Sequence, residues 1–122
     1  MSDNFVKIAR QEIQAELDSL QQILIQCNDD KDISSNGNEI EKHLHKIKGL
    51  APMMGQNNVG EIAKLNDSIL RHIIKNGTQS GTYQVMGESL QIMQEIFHNT
   101  NKKDVEEFKN KIRKNFSGIL NH

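Results

Sequence analysis

The sequence has no tryptophan, one proline, one cysteine and an aromatic content of 4%. Each shortage excludes something. A single cysteine, Cys27, rules out an internal disulfide and fits a reducing compartment, so a cytoplasmic location is expected. Scarce β-branched alternation and few aromatics argue against sheets. One proline leaves long helices uninterrupted. No apolar run approaches the ~20 residues that span a bilayer, and the polar start, MSDNFVKIARQE, lacks a signal-peptide apolar stretch. A formal net charge of -1 gives no general attraction to nucleic acid or anionic lipid. No G-x-x-x-x-G-K-[ST] loop is present to cradle ATP. Scattered histidines without H-x-x-x-H spacing, and no inward Glu-x-x-His pairs, predict no metal site.

What remains is helical periodicity. At 122 residues the chain suits one domain, residues 1–122. Five amphipathic stretches follow one another. The first, about Asn4 to Cys27, carries Val6, Ala9, Ile13, Leu17, Leu20 and Leu24 on one stripe. NDDKDISSNGN reads as a loop. The second helix starts near Asn38, with Glu41 as its capping-box partner, and carries Ile40, Leu44, Ile47, Ala51 and Met54. The third runs from about Val59 to Lys75, closed by Asn76-Gly77. The fourth covers Thr82 to Phe97, with Tyr83, Met86, Leu90, Met93 and Phe97 facing inward. The fifth covers Lys103 to Leu120. Short connections favour antiparallel neighbours, so the expected fold is all-α: an antiparallel up-down four-helix bundle with an additional fifth helix. Cys27 falls at the end of the first stripe and reads as a buried small hydrophobe.

A glycine interrupts the second helix, in HLHKIKGLAPMMGQ. Glycine inside a helix costs about 1 kcal/mol relative to alanine. With Ile40 at zero on the helical wheel, His45 lies at about 140°, Lys48 at about 80° and Gly49 at about 180°. All three point away from the core stripe. Helical side chains lean toward the N-terminus, so a side chain at position 49 would cover His45. Gly49 clears that approach, and Lys48 sets a cation beside it. A neutral imidazole is a nucleophile near pH 7, and a lysine offsets the charge on a phosphoryl group. The bland alternative is a solvated face, or a glycine that lets another helix pack closely. His43 lies at about -60°, on the flank of the core stripe, and reads as packed. Pro52 cannot donate to the Lys48 carbonyl and is expected to kink or loosen the helix.

His45, Lys48 and Gly49, with Gly55 further on, resemble the H-x-x-K-G-x-x-x-x-x-G signature of histidine-containing phosphotransfer (HPt) domains. The helical layout is similar along most of the chain. The stretch KIKGLAPMMGQ looks most similar to the N-terminal, P1-type phosphotransfer domain of CheA-like chemotaxis kinases. The resemblance implies that His45 carries the phosphoryl group through Nε2 and that Lys48 supports it. Gly49 would leave room for the partner, and Gly55 would serve the turn. Asp67 occupies the place of an acidic residue that holds the other ring nitrogen, although a longer Glu is expected there. Glu41 and Met53 complete the expected binding face. The implied partners are a response-regulator receiver domain and a histidine kinase ATP-binding domain. The chain itself would bind no cofactor, with Mg²⁺ on the receiver. It would be a phosphocarrier without its own ATP site, either free-standing or part of a CheA-like kinase. The competing class is a non-catalytic helical interaction module, in which His45 is incidental.

Overall fold

The computed structural model describes residues 3–120. They form seven helices: α1 (Asp3–Ile25), α2 (Asp30–Ser35), α3 (Gly37–Met53), α4 (Asn57–Asn76), α5 (Thr82–Phe97), α6 (Val105–Asn115) and α7 (Ser117–Leu120). No strand occurs among the described residues. The long helices contact one another in a ring: α3 packs on α1 and α4, and α5 on α4 and α1. No helix among them is long and apolar enough to cross a membrane.

The apolar stripes bury as their spacing dictates. Ile13, Leu17 and Leu20 of α1 meet Ile40, Leu44, Ile47 and Ala51 of α3, and Ile62, Ile69 and Leu70 of α4, in one core. Val6 and Tyr83 depart from the expected stripes and are exposed. Val85, Ser89 and Ile92 are buried on α5 instead, alongside Met86, Leu90, Met93 and Phe97. Cys27 is buried, and burial, followed by the charges of Asp32 and Asp29, raises its thiol pKa.

Three expectations about boundaries need correction. The stretch read as a loop contains α2. Asp29 caps it by accepting from Asp32 N at 2.9 Å, Asp32 accepts from Asn28 N at 2.8 Å, and Ile33 is fully buried. One apolar residue in a short polar run shows no period, so the pattern hid a helix held by its caps. Asn38 does not cap α3. The helix already begins at Gly37, where a Cβ would come within 3.1 Å of Ile74 Cγ1, so close packing on the end of α4 sets this boundary. The last expected helix is shorter and broken: Asp104 caps α6 by accepting from Glu107 N at 3.1 Å, and the chain leaves helical geometry at Phe116 before α7.

The short α2 has a structural task. The N-terminus of α5 carries Gly81 and has no side-chain cap of its own. Asp30 supplies one from α2, accepting from Gly81 N at 3.0 Å, Tyr83 N at 2.7 Å and Thr82 Oγ1 at 3.4 Å. A carboxylate at a helix N-terminus also meets the favourable end of the helix dipole. Hydrogen bonding, first from Tyr83 N, holds the Asp30 pKa below the ordinary aspartate range despite partial burial. Asp30→Ala is therefore expected to cost about 1–2 kcal/mol in chemical denaturation at neutral pH. A lowered carboxyl pKa stabilises above the unfolded value of about 3.9, and that contribution fades as pH falls through the folded pKa. The difference between parent and Asp30→Ala should accordingly shrink in acid.

Pro52 lies in the last turn of α3, which ends one residue later. Its ring packs on α4, where a Cβ at Gly60 would sit 2.9 Å from both Pro52 Cδ and Cγ. The proline thus closes α3 and seats it against a glycine of α4. The chain then turns at Gly55, whose φ of 74° is left-handed, the conformation that favours glycine.

Candidate functional site around His45

Helix α3 turns His45 outward, with its side chain 56% exposed. Gly49, one turn on, is exposed, and a Cβ built there meets nothing within 4 Å beyond the local backbone of its own helix. Internal packing therefore does not require this glycine, which removes the close-packing explanation. The space above His45 is open. Beside it runs a groove of about 570 Å³ lined by Glu12, Glu16, Lys46, Gly49, Leu50 and the exposed Met53. The neighbouring histidine behaves differently. His43 is largely buried, with Nδ1 2.5 Å from Glu16 Oε2, and ties α3 to α1. The wheel assignment of both histidines agrees with this placement.

Behind the imidazole lies a cluster of four charged side chains. Asp67 of α4 is only 2% exposed. Its Oδ2 accepts from Lys48 Nζ at 3.0 Å and forms an ion pair with Arg71 Nε at 3.1 Å. Arg71 Nε also lies 3.6 Å from Glu41 Oε2, and its Nη2 lies 3.2 Å from His45 Nδ1. Glu41, one turn before His45 on the same helix, places Oε2 3.9 Å from that nitrogen. α3 and α4 make the most extensive helix pair in the molecule, and this contact brings the cluster together.

Two of these arrangements differ from expectation. Asp67 makes no hydrogen bond to His45; its carboxylate is short, buried and occupied by Lys48 and Arg71, so a guanidinium meets Nδ1 instead. Glu41 is not a capping residue of α3. It stands against Asp67, and a hydrogen bond with Asp67 raises its pKa first, burial and the Asp67 charge adding to the rise while Arg71 and Lys48 partly oppose it. Glu41 Oε2 and Asp67 Oδ1 are both buried without a donor. Two facing carboxyl groups of this kind are satisfied when they share a proton.

Sequence reasoning missed Arg71. The signal was its spacing of four residues from Asp67, an ion pair along one helix face, but only the α3–α4 contact brings it to His45. Single atoms of Glu41, His45 and Asp67 lie within 4.8 Å of one another, a spacing that a metal ion tolerates. Lys48 and Arg71 already place two positive charges against the same carboxyls. His122 lies outside the described residues.

In comparisons with known proteins, the family model described as "Hpt domain" matches residues 4–99, well over half of the chain. Neither the curated proteins nor the solved structures gave a match.

Proposed function

The chain belongs to the Hpt-domain family, which acts in histidine phosphotransfer within phosphorelay signalling, and from that premise we propose that His45 is its phosphoryl carrier. One observation carries the assignment: of the two histidines on α3, His45 alone stands in the open, under the space that Gly49 leaves clear. Nε2 attacks the phosphorus, and the donor's leaving oxygen departs with its electron pair. Lys48, three residues beyond His45 on α3, and Arg71, beside its ring, offset charge on the transferred oxygens. The open groove with Leu50 and Met53 serves as docking surface, and Gly55 keeps the turn beyond it compact.

Hpt domains in general interact with kinases and response-regulator receivers. We read this chain as a carrier in the cytoplasm. A receiver aspartate is the acceptor, and either a kinase ATP-binding domain or a second receiver is the donor. Mg²⁺ belongs to the receiver. Residues 1–122 form one domain on this reading, with the four long helices as an antiparallel up-down bundle. Within the family we group it with the P1-type domain of CheA-like kinases. Support for that placement comes from KIKGLAPMMGQ and from α6 and α7, which follow the matched residues.

The test is to incubate the purified chain with a phosphorylated receiver domain, and separately with a CheA-type catalytic domain and ATP. An acid-labile, base-stable phosphate on the chain is the expected product. A folded chain that takes no label from either donor would point to a helical interaction module instead.

A further inference from the structure

Arg71 holds a position that the phosphotransfer chemistry does not explain by itself. A guanidinium has only donors, so its contact with His45 Nδ1 requires a lone pair on that nitrogen. In a neutral imidazole the proton then resides on Nε2, and a protonated Nε2 has no in-plane pair with which to attack phosphorus. The resting arrangement is thus the unreactive tautomer. The acceptor that would favour the reactive one is already in place: Glu41 Oε2 stands 3.9 Å from Nδ1, buried and without a hydrogen-bond donor.

We propose that Arg71 is a positioning residue that holds His45 in the Nε2–H tautomer until a phosphoryl donor draws the guanidinium away, whereupon Glu41 takes over Nδ1 and frees Nε2. The proposal rests on the phosphotransfer reading and adds to it a control on the nucleophile. Arg71 is more than half exposed and has room to move, and a guanidinium binds a phosphoryl group through paired hydrogen bonds. Once Arg71 leaves, Nδ1 takes a proton from water and Nε2 gives its proton up to water, so the ring's charge is unchanged. The ring is then Nδ1–H, donating to the Glu41 carboxylate, with its pair on Nε2. That pair forms the N–P bond while the bond from phosphorus to the donor's acyl oxygen breaks, and the electrons of that bond stay on the donor carboxylate. Asp67 keeps Lys48 and retains its buried place.

Nitrogen-15 spectra of the histidine rings in the whole chain test this directly. Neutral His45 is expected as Nε2–H in the parent. In Arg71→Gln the balance should move toward Nδ1–H by about tenfold, the scale of one charge-assisted hydrogen bond. Adding Glu41→Gln should cancel that movement. An Nδ1–H parent, or an unchanged tautomer in Arg71→Gln, would each overturn the proposal while leaving His45 as the carrier. A parent chain that never takes label would instead overturn the carrier reading, and this control with it.

Discussion

Gly49→Leu is expected to fold like the parent chain and to exchange its phosphoryl group about a hundredfold more slowly, the scale of a reacting pair held roughly 1 Å too far apart. Position 49 is on the open side of α3, and its first side-chain carbon would touch nothing beyond the local backbone of its own helix. The fold therefore has no use for the absence of a side chain there. Alanine at this site should even stabilise α3, by roughly 0.5–1 kcal/mol, because glycine gives up the most backbone freedom in a helix. The larger leucine leans back over His45 and blocks the partner. Denaturation curves and single-turnover transfer on the same preparations separate the two effects. Leucine at position 49 with undiminished transfer would show that the partner does not approach over this surface.

Lys109→Ala is expected to lower stability by about 2 kcal/mol, since it removes several hydrogen bonds and a buried aliphatic stem together. Lys109 is a charged residue that is only 2% exposed. Its ammonium donates to Asn58 Oδ1 at 3.1 Å, contacts Glu106 Oε1 at 2.5 Å and pairs with Glu61, pinning α6 to α4. Burial pushes its pKa down, but the hydrogen bonds and charges of Glu106 and Glu61 outweigh that and leave it raised. A raised lysine pKa contributes fully below the unfolded value of about 10.4 and is lost as pH climbs through the folded value. The gap between parent and Lys109→Ala should consequently be constant near neutrality and narrow in strong alkali. Because Glu61 and Glu106 are themselves more than half exposed, water takes over their charge in the variant, which keeps the loss moderate. Urea denaturation across pH checks both statements.

The parts of the fold that could be read from the sequence are those where a period repeats often enough to be counted. Val59, Ile62, Ala63, Asn66, Ile69, Leu70 and Ile73 recur at helical spacing along one face of α4, and all seven are buried. Asn66 is polar yet belongs there, since its Nδ2 donates to Ile62 O and to Ser89 Oγ of α5. In α3, the wheel separates the outward His45 from the packed His43, and the side chains follow it. Features set by contacts between helices were hidden. α2 is held by carboxylate caps and one buried isoleucine, and Asp30 serves a helix half the chain away. Arg71 gains its place beside His45 only when α4 is laid on α3. The departure at position 67 was visible as an aspartate where a glutamate was expected. Its outcome, a buried carboxylate bound by two cations rather than by the imidazole, required the fold.

The central claim is that His45 carries the phosphoryl group. The most direct measurement compares labelling by a phosphorylated receiver in the parent, His45→Gln and His43→Gln. The account predicts label in the parent and in His43→Gln and complete loss in His45→Gln, with all three chains folded. Label that survives in His45→Gln and disappears in His43→Gln would contradict it.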